Sequence, residues 1–177
     1  MPRQAVLNLT SLVEELVQRG ENIDGAGLVK VAEQVGKAFH VQPEEVAILG
    51  FDRKEKFLKF LVPEKLQAVG QIPLTSTSSL AARSAREKRA DLINHFTVVP
   101  HASVFEAVPL GEERSDPIQK IMSAPILFEG TVVGVIQVSR KGKSTASAGP
   151  DFTPQELREL VGAAEAIAPY LRLFVPD

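Results

Sequence analysis

Residues 123–142 constrain the fold more than any other part of the chain. Residues 118–127 are apolar with interruptions and read as a strand. Phe128-Glu129-Gly130-Thr131 reads as a tight turn, with Gly130 free to take positive φ. Val132-Val133-Gly134-Val135-Ile136-Gln137-Val138 reads as a second, strongly β-branched strand. Its apolar character on both faces predicts a central strand covered on both sides. Gly134 leaves room there for a neighbouring backbone or side chain. The chain is therefore committed to a sheet with packing layers above and below this hairpin.

The flanking sequence supplies those layers. Val6, Leu9, Val13 and Leu16 recur at three- and four-residue spacings, with Leu12 and Val17 widening the stripe, which predicts an amphipathic helix ending near Gly20. Asp24 is placed to cap a second helix with Leu28, Val31, Ala32, Val35 and Phe39 inward, stopped by Pro43. Residues 46–51 and 57–62 read as a hairpin around a charged turn at 52–56. Residues 64–74 carry no clear period beyond an extended piece near Ile72. A helix is expected over about residues 79–90, residues 91–101 read mostly as connection, and residues 104–108 read as a strand. The last helix opens on Asp151-Phe152-Thr153-Pro154-Gln155-Glu156. Thr153 is its N-cap, Pro154 its first position and Glu156 the other half of a capping box, with Phe152 stapling onto Leu157. Its apolar face is Leu157, Leu160, Ala164, Ile167, Leu171 and Phe174, with Pro169 inside the pattern.

The 177 residues fit one domain with a substantial core. The reading is an N-terminal amphipathic helix over residues 1–22, then a single α+β domain over 23–177 with a mostly antiparallel sheet and terminal helices on one face. Net charge is −2, so no overall basic field attracts nucleic acid or an anionic membrane. Two basic clusters, Arg83, Arg86, Lys88, Arg89 and Arg140, Lys141, Lys143, read as solvated surface. No stretch approaches the roughly 20 apolar residues of a membrane span. A soluble, cytoplasmic protein is expected.

Ser123-Ala124-Pro125-Ile126-Leu127, the turn with Gly130, and Val133-Gly134-Val135 resemble the central hairpin of GAF domains. The phrase from Asp151 to Leu157 resembles the opening of their closing helix. Ile72-Pro73-Leu74 followed by Ser79-Leu80-Ala81-Ala82 resembles the segment leading to their pocket-side helix. The resemblance implies a six-stranded antiparallel sheet flanked by helices. It also implies a ligand pocket on the side away from the terminal helices, and a role in signal transduction.

Several chemistries are tested by composition. The chain has no cysteine, which removes disulfides, thiolate metal sites and cysteine nucleophiles. It also excludes a thioether-linked bilin and the cysteine redox chemistry of GAF-like free methionine sulfoxide reductases. The cyclic-nucleotide signature of the family is matched at Lys141, Phe152 and Glu156 and departed from at Arg140 and Gln155. The three matches also read simply as a loop base, a staple and a cap. His40, His95 and His101 show no metal-binding spacing, and no cofactor is expected. No nucleophile elbow, phosphate loop or zinc motif occurs, so the chain is expected not to be an enzyme.

Two readings remain. In the first, the domain binds an unidentified small molecule, with Thr75, Ser76, Ser79, Arg83, His95, His101 and Phe105 as candidate pocket residues. Residues 75–79 serve equally well as a helix cap. In the second, the domain is an interaction module that forms a homodimer through its terminal helices. Their heptad-like stripes suit either packing on the sheet or a bundle across a two-fold axis.

Overall fold

The structure, a computed structural model, describes residues 2–19, 25–96 and 117–174. Its elements run α1 (Pro2–Arg19), α2 (Gly25–Phe39), β1 (Val46–Asp52), β2 (Phe57–Val62), β3 (Gln71–Pro73), α3 (Leu80–Glu87), β4 (Asp91–Ile93), β5 (Ile118–Phe128), β6 (Thr131–Lys141) and α4 (Pro154–Leu171). The six strands form one sheet in the order β3-β2-β1-β6-β5-β4, and every neighbouring pair is antiparallel.

The β5–β6 hairpin sits at the centre, as its sequence requires. Glu129 and Gly130 take φ of 52° and 81°, the left-handed pair that matches a two-residue turn to the twist of its strands. β6 is buried from Val132 to Arg140, so it is covered on both faces. The close of the chain also follows its local chemistry. Thr153 Oγ1 accepts the Glu156 N–H at 3.1 Å, and Glu156 Oε1 accepts the Thr153 N–H at 3.0 Å. Phe152 before the cap is buried, and α4 continues through Pro169 to Leu171.

One face of the sheet carries α1, α2 and α4. Leu9, Val13, Val31, Val35, Leu160, Ile167 and Leu171 pack there on Ile48, Met122, Ala124, Ile126, Ile136 and Val138. The opposite face carries α3, where Ala81, Ala82 and Ala85 lie over Leu49, Leu58, Ile72 and Val135. A smaller cluster of Leu80, Phe96 and Ile121 sits apart on that side. Among the described residues, no helix is long and apolar enough to cross a membrane.

Three points differ from the sequence reading or lie beyond it. Residues 91–93, expected as connection, form β4 by pairing Asp91, Leu92 and Ile93 with Ser123, Met122 and Ile121. Three residues are too few to display a period, so tertiary pairing decides them. Arg140, expected in solvent, is 5% exposed, because its guanidinium finds acceptors inside the fold. The expected strand at 104–108 and the cap at Asp24 lie outside the described residues.

Candidate functional site

Antiparallel register lines up a row of polar residues on the α3-facing side of the sheet. Asp91 pairs with Ser123, Ser123 with Gln137, and Gln137 with Ala47, crossing four strands. Directly opposed residues of an antiparallel sheet share a face. The flanking row on one side pairs Pro125 with Val135 and is apolar, and on the other Ile121 pairs with the buried Ser139, so the polar character continues along β6 on this face.

α3 is joined to the row. Ser84 Oγ lies 2.8 Å from Ser123 Oγ, both residues being fully buried. Gln137 Nε2 donates to Ser123 Oγ at 3.2 Å. Gln137 is 5% exposed, and its Oε1 accepts no hydrogen bond among the described residues. Ala47 is half-buried although Val46 and Ile48 beside it are completely enclosed on the helical face. The central strand β1 is therefore reachable from the α3 side at the end of the polar row.

At the other end, Arg83 Nη2 contacts Asp91 Oδ2 at 3.1 Å, and Arg89 Nε contacts Asp91 Oδ1 at 3.5 Å. The Arg83 Nε–H is buried and donates to nothing among the described residues. Further along β6, Ser139 Oγ donates to the Glu45 carbonyl at 3.3 Å, and Glu45 Oε2 accepts the Lys141 N–H at 2.7 Å.

The candidates from sequence fall as follows. Ser79 is buried and caps α3, its Oγ accepting the Ala82 N–H at 3.2 Å. Ser76 Oγ accepts the Ser79 N–H at 3.2 Å, so it shapes the turn before the helix. Thr75 and His95 are exposed, and Arg83 joins the row through Asp91. His101 and Phe105 lie outside the described residues. Ser84, Ser123 and Gln137 were not among the candidates. Gln137 did carry a signal, an amide inside a β-branched strand, where a polar side chain needs a partner.

The cyclic-nucleotide positions have structural work of a different kind. Arg140 Nη2 donates to the Phe39 carbonyl at 3.0 Å, and its Nη1 donates to the Pro150 carbonyl. Its guanidinium carbon lies 4.2 Å from the Phe152 ring centroid, and Nη2 is 3.9 Å from Glu156 Oε2. Lys120, the register partner of Arg140, is 4% exposed; it donates to the Gly149 carbonyl and pairs with Asp151 at 2.8 Å. Two buried cations from adjacent strands thus fasten the segment that enters α4, on the face opposite the polar row.

Burial lowers the Lys141 pKa, an effect that Glu45 and Glu44 partly offset. A depressed lysine pKa means that the unfolded chain binds this proton more tightly. The resulting penalty is present at neutral pH and fades as pH rises from the folded-state pKa towards the ordinary lysine value. Lys141→Met is therefore expected to raise stability at neutral pH, with the gain shrinking in alkaline buffer. Urea unfolding at the two pH values checks this.

Among the described residues no cluster of His, Asp and Glu is arranged to hold a metal ion.

The sequence profile of the GAF domain matches residues 27–171. No curated protein sequence matches the chain. Solved structures do. The GAF domain of a phosphoenolpyruvate-protein phosphotransferase from Coxiella burnetii is 14% identical with a TM-score of 0.67, covering 95% of this chain and 93% of its own. Residues 122–287 of a methyl-accepting chemotaxis protein are 15% identical with a TM-score of 0.66, covering 94% and 98%. A free methionine-R-sulfoxide reductase from Neisseria meningitidis, solved with its substrate, is 14% identical with a TM-score of 0.65, covering 97% and 88%.

The last of these corrects an expectation. The chain was expected not to be an enzyme, yet it shares its fold with a reductase, so the architecture accommodates catalysis as well as sensing. That expectation rested on the missing cysteines, which remove only cysteine chemistry, and on missing motifs that belong to other folds, so neither decides the matter for this one.

Proposed function

The chain belongs to the GAF domain family, and from that premise we propose that it is a sensory or regulatory domain whose small-molecule ligand sits over the row Asp91, Ser123, Gln137 and Ala47. One observation carries this reading. Gln137 is almost completely buried in a central strand, yet one end of its amide has no partner among the described residues. A bound donor would give that oxygen the hydrogen bond it lacks within the protein. Ala47, its register partner on β1, is only half-buried, which is compatible with access from that end of the row.

The domain contexts of similar structures, a chemotaxis protein and a phosphotransferase, support a regulatory role. The test is a thermal-shift screen of nucleotides, amino acids and aromatic acids on the wild type and Gln137→Leu. A compound that stabilises the wild type and not the variant supports the site. Stabilisation of both proteins equally places the ligand elsewhere, and a screen without any hit counts against ligand binding.

A further inference from the structure

The charges around the polar row bear on the kind of ligand it takes. Arg83 and Arg89 share Asp91, and Arg89 also pairs with Glu87 at 3.3 Å. Two cations therefore meet two carboxylates. Lys141, further along β6, has Glu45 and Glu44 beside it. Arg86 Nη1 donates to the Leu74 and Ser76 carbonyls, and Lys88 Nζ donates to the Gly130 carbonyl. Lys120 and Arg140 are spent on the opposite face. Among the described residues Arg83, Arg86, Lys88 and Arg89 each have a carboxylate or carbonyl partner, and the Lys141 ammonium lies in the field of Glu45 and Glu44.

An anion entering this site would give up its water and meet cations whose charge neighbouring carboxylates already offset. That exchange is unfavourable by several kcal/mol in a buried setting. Its oxygens would also face Gln137 Oε1, an acceptor that repels other acceptors. A neutral molecule loses less hydration and can give that oxygen a hydrogen bond. The buried Arg83 Nε–H stands at the Asp91 end of the row as a donor for a carbonyl or ring nitrogen.

We propose, building on the site assigned above, that the ligand is a net-neutral molecule with an N–H or O–H donor for Gln137 Oε1, of the carboxamide or nucleobase type, and not a phosphate or carboxylate anion. The test follows the side-chain amide signal of Gln137 by ¹H–¹⁵N NMR in the full chain, assigned by its loss in Gln137→Met. The probes are matched pairs, acetamide against acetate and adenosine against adenosine monophosphate, each at millimolar concentration. Circular dichroism of Gln137→Met verifies that the fold is intact. The expected result is that the neutral member of at least one pair shifts the Gln137 signal, with at least a threefold weaker response from its anionic partner. A stronger response to the anionic partners overturns the neutral class and leaves the site standing. No response to any of the four probes overturns both.

Discussion

Gly134→Ala is expected to destabilise the protein by about 3 kcal/mol, the upper part of the range for forcing a methyl group into a packed core. For a chain of this size that lowers the melting temperature by roughly 6–12 °C. Gly134 pairs with Gly50 of β1 and Ile126 of β5 in the middle of the sheet. A Cβ built there falls well inside van der Waals contact of the Leu49 carbonyl oxygen and of Leu171 Cδ2. The oxygen belongs to the backbone of a central strand and cannot swing away. Leu171 is fully buried at the end of α4, so its escape would displace the helix. Gly162 provides the control, because a Cβ there meets only Val6 Cγ2 at an ordinary 3.7 Å. Gly162→Ala lies inside a helix and is expected to stabilise by up to about 1 kcal/mol. Urea unfolding of the two variants measures both; equal effects would remove the close-approach explanation for Gly134.

Arg140→Met is expected to cost about 3 kcal/mol, comparable to losing one partner of a buried ion pair. Methionine fills much of the volume and keeps a contact with the Phe152 ring. It leaves the carbonyls of Phe39 and Pro150 without their donors and Glu156 without its nearest cation. Arg140→Lys keeps the charge but loses the planar fork that reaches two carbonyls at once, so it should fall between the wild type and Arg140→Met. A double-mutant cycle with Phe152→Leu separates the stacking contribution from the hydrogen bonds. If Arg140→Met unfolds at the same urea concentration as the wild type, the clamp contributes nothing to stability.

The parts of the fold that were legible in the sequence share one property, that cause and effect lie close along the chain. Thr153 and Glu156 are three residues apart, and their reciprocal hydrogen bonds follow from the spacing alone. The β5–β6 turn declares itself through Gly130 between an apolar run and a β-branched one. The site behaves differently. Ser84 and Ser123 are separated by 39 positions, and only the docking of α3 on the sheet brings their hydroxyls together. Gln137 was visible as an amide in an apolar strand, but its importance depends on register with Ser123, which one strand cannot reveal. Ser79 was correctly placed at the head of α3, because capping is local. Arg140 was misplaced for the converse reason. Its acceptors lie at Phe39, the last residue of α2, and at Pro150 in the loop before α4, and nothing within reach of a sequence window shows that these converge.

The two outer strands of the sheet carry a further consequence. β3 and β4 are three residues long, and β3 ends in Pro73, which has no N–H to offer. A sheet with long, regular borders is a template on which other chains can add strands and grow into fibrils. Here one border is brief and interrupted by proline, and the other carries Asp91 under two arginines. Strand addition at β3 and β4 themselves is thereby disfavoured.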